Sequence, residues 1–341
     1  MYQSRISFAN KIEIKSLKKI PMKTSVRLSI FLFIALSFSI AQAQPVKDHG
    51  NLAVSGTTII DKDGKVVVLQ GVRYGWHNWW PRFYNQESVQ WLAHDWGCSV
   101  VRAAMGVEPA NGYLEDPNGS KAKIEAVIEG AINNGIYVII DWHSHGIQTK
   151  AALVFFEEMA RKYGKYPNII YELFNEPVKD PWSDIKTYSI ELIKKIREFD
   201  PDNIILVGNP HWDQDVHLVA DDPISGFTNI MYTLHFYAGT HGQSLRDRGD
   251  YAISKGIPIF VSESAGMEAS GNGPINYNEW AKWIEWMEKN QISQVCWSIS
   301  DKNETCSMLN VSANSEGNWK ELDLKESGME TREMLRKNAN K

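Results

Sequence analysis

Cysteine is scarce: Cys98, Cys296 and Cys306 are the only three in 341 residues. An odd number permits at most one internal disulfide, with Cys296 and Cys306 close enough in sequence to pair, and leaves a free thiol. Their spacing matches no zinc-site pattern, and no neighbouring residues support a thiol nucleophile. Basic runs are missing as well. The chain carries a net charge of −5, and its first 43 residues hold seven Lys/Arg and one Glu. The remainder, with 29 basic against 40 acidic residues, therefore stands at −11. Such a chain is repelled by nucleic acid and by anionic membranes, which points to a neutral substrate. No Pro/Ser/Thr-rich linker, internal repeat or compositional break interrupts residues 44–341, so one domain is expected, without an appended binding module.

Long apolar runs are limited to one, Leu28 to Ile40. It follows a basic opening at residues 22–27 and precedes Ala41-Gln42-Ala43, the small-x-small pattern of a cleavage site. The run is too short for a comfortable membrane span, and polar sequence follows it directly. Residues 1–43 read as a signal peptide with its true start at Met22; an uncleaved anchor is the rival reading. No cysteine follows the small-residue site, which argues against a lipid anchor. The expectation is a secreted protein, extracellular or periplasmic, monomeric and free of the membrane after cleavage.

Residues 44–341 alternate strand-like and helix-like segments. Two strand-like stretches, 52–60 and 65–71, flank Asp61-Lys62-Asp63-Gly64, a hairpin turn signal. Counting 66–71 as the first barrel strand, further strands are expected at 99–103, 136–141, 168–173, 204–207, 229–234, 257–261 and 294–297. Amphipathic segments at 122–134, 151–163, 184–199 and 277–290 lie between them. The strands are short, apolar and β-branched, as strands covered on both faces are. Eight such units in roughly 300 residues predict a single-domain α/β fold, a (β/α)8 TIM barrel with a short N-terminal β-hairpin. An open doubly wound sheet would want a Gly-rich phosphate turn after its first strand, and Gly71-Val72-Arg73-Tyr74-Gly75 is not one.

In such a barrel the chemistry sits where strands end. Those positions carry Arg102, Asp141-Trp142-His143-Ser144-His145, Asn175-Glu176, His211-Trp212, His235-Phe236-Tyr237, Glu263, Trp297 and the stretch Asp301-Lys302-Asn303-Glu304. A purely structural rim needs no such density. Glu176 and Glu263 would project from one rim into one cleft, the pairing that glycoside hydrolysis requires. Blander readings apply to some of these groups. Arg102 and Asp141 fit a buried ion pair, and Glu172, in mid-strand, fits an interior satisfied carboxylate. Trp280, Trp283, Ile284 and Met287 follow helical spacing and read as core, as do Trp91 and Trp96. Trp79, Trp212 and Trp297 sit on rim loops or a strand end, where flat rings can stack on sugar faces.

The stretches Val101-Arg102-Ala103-Ala104-Met105, Ile139-Ile140-Asp141-Trp142-His143, Tyr171-Glu172-Leu173-Phe174-Asn175-Glu176-Pro177, Trp212-Asp213-Gln214-Asp215-Val216-His217, His235-Phe236-Tyr237-Ala238-Gly239-Thr240-His241-Gly242, Phe260-Val261-Ser262-Glu263 and Trp297-Ser298 resemble family 5 glycoside hydrolases. The likeness is to the bacterial endo-β-1,4-glucanases (cellulases) and spans about residues 50–335. It implies a retaining enzyme without metal or cofactor, acting on β-glucan polysaccharide or oligosaccharide. Glu176 would be the acid/base, with a raised pKa, and Glu263 the ionised nucleophile. By the same resemblance Arg102 and Tyr237 would hold Glu263, Asn175 would bond the sugar 2-hydroxyl, and His143 and His235 would bind neighbouring hydroxyls. Trp297 would floor that subsite, Trp79, Lys302 and Glu304 would serve the non-reducing side, and Trp212 the leaving-group side. The family usually carries an aromatic residue directly after the nucleophile; here it is Ser264.

Two other classes compete. A zinc hydrolase could draw on His143, His145, His211, His235 and Asp301, but the His-x-His pair follows the third strand rather than the first, and no lysine ends strand four. A non-catalytic sugar-binding barrel would keep the aromatic residues without needing both glutamates. Within the glycosidase reading, β-mannanase or another β-1,4-glycanase is the alternative.

Overall fold

The computed structural model describes residues 44–339; the expected signal peptide lies outside the described residues. Eleven strands are present among them. Three short ones, β1 (Ala53–Ser55), β2 (Thr58–Ile60) and β3 (Val66–Val67), form an antiparallel sheet in that order. The other eight are β4 (Gln70–Tyr74), β5 (Val100–Gly106), β6 (Tyr137–His143), β7 (Ile169–Glu172), β8 (Ile205–Val207), β9 (Ile230–Tyr237), β10 (Ile259–Ala265) and β11 (Gln294–Ile299). They close into the expected all-parallel barrel, β11 pairing with β4.

The hairpin turn folds as its sequence predicts. Asp61 Oδ1 accepts from the backbone N–H of Asp63 and Lys65, and Ile59 and Ile60 pair with Val67 and Val66. The sequence reading missed a second turn at Gly56-Thr57, where Gly56 sits at φ 58, and it ran the hairpin into the barrel without a break. In the structure β3 ends at Val67 and the first barrel strand begins only at Gln70. The barrel strand therefore extends three residues beyond the expected end, to Tyr74.

The small sheet plugs the bottom of the barrel. Leu52, Ile59 and Val67 are buried in one cluster with Leu69, Val100, Tyr137, Ile139, Ile170, Leu206, Met231, Phe260 and Val295. Alternation along parallel strands explains that cluster, since every second side chain points inward. Tyr137 Oη donates to the Gly50 carbonyl at 2.7 Å, and Val54 N–H to Asn229 Oδ1 at 2.9 Å, tying the plug to strand starts. Continuing the same inward rows toward the strand C-termini, the residues change from apolar to charged: Val100 gives way to Arg102, Ile139 to Asp141, Ile170 to Glu172, and Met231 to His235. The interior is thus an apolar floor under a polar mouth.

The outward rows are covered by helices. The last of the expected amphipathic segments is a helix with the expected bounds, Tyr277–Asn290, capped by Asn276 Oδ1 accepting from Glu279 N–H. Its Trp283 and Met287 are buried, Trp283 stacked on Phe236 of β9 at 3.9 Å between ring centroids, and its indole N–H donates to the His241 carbonyl. Trp280 and Ile284 pack partly buried beside them. Trp96 is fully buried, and Trp91 packs half-buried against the core. The three cysteines are buried and unpaired; Cys296 and Cys306 form no disulfide.

Gly71 marks the tightest strand approach. A Cβ there would lie 1.7 Å from the Val100 carbonyl oxygen on the neighbouring strand, a clash with backbone that no side-chain movement relieves. Gly71→Ala should therefore cost about 3 kcal/mol, read as a lower urea midpoint at unchanged m-value.

Candidate active site

The polar mouth is built from strand positions and the first loop residues beyond them. Glu263 lies on β10 itself. Register against β9 slips between Phe260 and Glu263, and against β11 between Val261 and Ser264. This bulge breaks the alternation, so the consecutive Ser262 and Glu263 both face the interior. Ser262 Oγ donates to Glu172 Oε1 at 2.7 Å, while Ser264 turns outward and donates to the Val295 carbonyl. The residue after the nucleophile candidate therefore belongs to the layer behind the barrel, beside Trp280, Thr331 and Met334, and not to the cleft.

Glu263 is 3% exposed. Its Oε2 accepts from Arg73 Nη1 and its Oε1 from Tyr237 Oη. The sequence reading gave the arginine contact to Arg102, whose ion pair with Glu263 is present at 3.7 Å, but Arg73 is the closer guanidinium. Arg102 directs Nε and Nη2 to Glu172, Nη2 also to Asn175 Oδ1 at 2.8 Å and Asp141 Oδ2 at 3.1 Å, and only its Nη1 stands near Glu263, at 3.7 Å. Arg102 neutralises the interior carboxylates Glu172 and Asp141, and Arg73, its partner in strand register, reaches the nucleophile candidate. Arg73 was passed over because its strand was expected to end at Gly71. The available signal was an arginine among apolar residues two positions beyond that end. Burial, with Arg102 alongside, lowers its pKa to about 9.

Glu176 sits in the turn after β7, which is stitched to the end of β6 by Asn175 N–H to the Trp142 carbonyl and Glu176 N–H to the Ser144 carbonyl. Its Oε1 lies 3.0 Å from His235 Nδ1, and its Oε2 3.5 Å from His145 Nε2. One oxygen of Glu176 and one of Glu263 lie within 4.8 Å of each other, with His235 Nδ1 3.0 Å from Glu176 Oε1 and 3.9 Å from Glu263 Oε2. Asn175 is buried; Oδ1 is held by Arg102, and Nδ2 has no hydrogen-bond partner in the protein.

His235 is the hub of the mouth. Its Nε2 meets Ser262 Oγ at 2.8 Å and Asp213 Oδ2 at 3.4 Å. Burial opposes charge on the ring, but Asp213, Glu172 and Glu176 around it raise its pKa to about 9. His143 is the opposite case: burial, then Arg73 and Arg102, hold it well below the ordinary histidine range. A neutral His143 donates Nδ1–H to Asp141 Oδ2 at 2.7 Å, and burial, resisted by Arg102, pushes Asp141 up to about 7. Glu176 departs from the sequence expectation of a raised pKa. Burial does push it up, but the His145 and His235 hydrogen bonds outweigh that and hold it well below the usual carboxylate range.

The remaining expected residues distribute around the cleft. Trp79 is half exposed and stacks on Trp76, whose edge meets His143. Trp297 is half-buried with the Arg73 guanidinium over its ring at 3.7 Å. Lys302 is exposed and paired with Glu304, which is itself nearly enclosed against the Trp297 indole N–H and the Cys306 thiol. Trp212 is exposed in a turn where His211, Trp212 and Asp213 all have positive φ, and the His211–Asp215–Arg248 ion pairs brace it. With His145, Glu176, Gln214, His235, Tyr237 and His241, it lines a cavity of about 460 Å³. His145, Gln214 and His241 in this set were not singled out from sequence as sugar-site residues; they line the cavity because separate loops converge. The histidines of the zinc alternative are not gathered: His211 bonds Asp215, Asp301 bonds Arg82, and among the described residues the clusters with metal-ligand geometry both centre on His235, without His143 or His145.

A family model described as "Cellulase (glycosyl hydrolase family 5)" matches residues 60–303. The chain belongs to glycosyl hydrolase family 5. Family 5 relatives agree along nearly its whole length. It is 43% identical over 308 residues to Endoglucanase Z of Dickeya dadantii, covering 89% of this chain and 72% of that protein. It is 41% identical over 312 residues to an endoglucanase of Clostridium saccharobutylicum, covering 89% and 69%. Among solved structures, a Cytophaga hutchinsonii protein superposes with a TM-score of 0.86 at 46% identity, over 87% of this chain and 98% of that one. The catalytic domain of a Thermobifida fusca endoglucanase, in a complex with cellotetraose, gives 0.81 at 29% identity, over 86% and 100%.

Two measurements test this electrostatic layout. Arg73→Gln should lower kcat/KM about 100-fold with the circular dichroism spectrum unchanged, because it removes a charged donor from the nucleophile candidate. A histidine raised to about 9 stabilises the fold fully below about pH 6.5 and loses that contribution as pH climbs through 9. The unfolding free energy should thus fall across this window in the wild-type protein, by about 3 kcal/mol, and stay flatter in His235→Gln, both read from urea titrations.

Proposed function

We propose that this family 5 hydrolase is a secreted endo-β-1,4-glucanase that cleaves its substrate with retention of configuration. The observation that carries the proposal is the pair Glu176 and Glu263, which approach within 4.8 Å at the mouth of one barrel in contrasting settings. A separation of about 5 Å suits direct attack on the sugar, whereas inversion needs room for a water and about 6.5–9.5 Å. Glu263, buried under Arg73 and Tyr237, is fixed as an anion facing the anomeric carbon. Its carboxylate attacks C1 as the glycosidic C–O bond breaks, and Glu176 gives its proton to the departing oxygen. Water then enters on the side that the leaving sugar has vacated; Glu176 takes a proton from it, and the hydroxyl displaces Glu263 from C1. Asn175 Nδ2 has no protein partner and is suited to donate to the sugar 2-hydroxyl, a bond that strengthens as the ring flattens. Each of these steps is proton transfer or displacement between side chains present in the cleft and water.

A β-1,4-linked glucan as substrate is supported by relatives named endoglucanase at above 40% identity and by the cellotetraose complex of the Thermobifida fusca domain. Export is supported by the pattern at residues 22–43 alone.

Reducing-sugar release by residues 44–341 from soluble β-1,4-glucan and from β-mannan, beside Glu263→Gln, tests the proposal. Glucan cleavage that the variant loses is expected; preference for mannan would overturn the substrate, and full activity in the variant would overturn the mechanism. Glu176→Gln should cost about 10²–10⁴-fold on the same glucan. Proton NMR of the first product should show the β-anomer before mutarotation.

A further inference from the structure

The hydrogen bonds of Glu176 divide its two oxygens between unlike partners. Oε1 meets His235 Nδ1 at 3.0 Å, and that ring cannot turn away, because it is buried and its Nε2 is held by Ser262. Oε2 faces His145 Nε2 at 3.5 Å, and the His145 side chain is 44% exposed. His145 also lines the cavity that holds Trp212. The oxygen left to protonate a glycosidic bond is therefore Oε2, and the side chain standing over it is His145. The backbone carrying that ring is firm: Glu108 Oε1 accepts from His145 N–H and from the buried Ser144 Oγ, which in turn accepts from Gly146 N–H. Apart from Glu176, the ring meets Trp76 edge-on at 5.4 Å and His143 at 6.3 Å between centroids, and it is otherwise open to the cleft. A fixed backbone with a lightly held ring allows rotation at the side chain without refolding of the loop.

Resting on the assignment of Glu176 as acid/base, we propose that His145 is a positioning residue: it occupies the proton-donating oxygen of Glu176 in the free enzyme and yields it to the glycosidic oxygen when a sugar enters beside Trp212. This also accounts for the low pKa of Glu176 in the free site, which conflicts with a donor role. An arriving sugar removes one of the two hydrogen bonds that keep the carboxyl ionised and excludes water from the other face. Both changes favour the protonated form. Other titratable groups facing His145 are His143 at 6.3 Å between ring centroids, Glu108 behind its backbone, and His235, Tyr237 and His241 across the cavity.

The test is the pH dependence of kcat/KM for His145→Asn, since that profile reports groups of the free enzyme. Two cellobiosides are compared, one with a poor leaving group that needs acid assistance and one with a dinitrophenyl group that does not. Loss of His145 raises the Glu176 pKa, so the basic limb with the poor leaving group should move up by about one pH unit, while the dinitrophenyl profile stays in place. Superimposable wild-type and variant limbs, with Glu176→Gln inactive on the poor leaving group, would overturn this proposal alone. Wild-type turnover of that substrate by Glu176→Gln would remove the acid/base assignment and this proposal with it.

Discussion

Everything at the mouth of this barrel depends on keeping several carboxylates ionised where little water reaches them. Glu172 and Glu263 are almost fully buried, and an unpaired buried charge is costly enough to neutralise itself or unfold the protein. Two arginines on adjacent strands answer that constraint. Arg102 takes the deeper pair, Glu172 and Asp141, and Arg73 takes Glu263. A positively charged His235 then supplies the third centre, shared among Glu172, Glu176 and Asp213. Division of labour between the arginines matters because Arg102, turned toward Glu172 and Asp141, leaves its Nη1 without a hydrogen bond 3.7 Å from Glu263, so the directed donor to that carboxylate comes from Arg73.

The same network sets the functional contrast between the two glutamates. Glu263 is enclosed between the buried Arg73 and the half-buried Tyr237, so its direction is fixed. Glu176 is held on one side by a buried ring and on the other by an exposed one, so half of its environment can change when the cleft fills. In the proposed mechanism that asymmetry suits Glu176 as an acid that must later serve as a base. The apolar floor below, sealed by the N-terminal sheet through Leu52, Ile59 and Val67, keeps the strand ends in register and so holds these groups at catalytic separation.

Much of this was legible in the chain itself. Eight apolar, β-branched runs spaced by amphipathic segments specify parallel strands covered on both faces, and the helix at Tyr277–Asn290 was readable to its ends from spacing. Strand C-termini were less legible. β6, β9 and β10 each run two to four residues beyond the last expected position, because polar residues such as His143, His235, Ser262 and Glu263 interrupt the apolar run there. Arg73 was overlooked for that reason. The bulge that turns Ser262 and Glu263 to the same side was equally invisible, since it depends on the neighbouring strands and not on local propensity.

The sequence by itself determined the barrel, the two glutamates and the strands that carry them, because burial pattern and strand spacing are local properties that survive as periodicity. Which arginine meets Glu263, which histidine stands over Glu176, and whether Glu304 faces solvent or the Trp297 indole were decided only by the tertiary structure. Those partners come from strands and loops up to 190 residues apart, and their electrostatics arise from distances and shared desolvation that exist only once the barrel has closed.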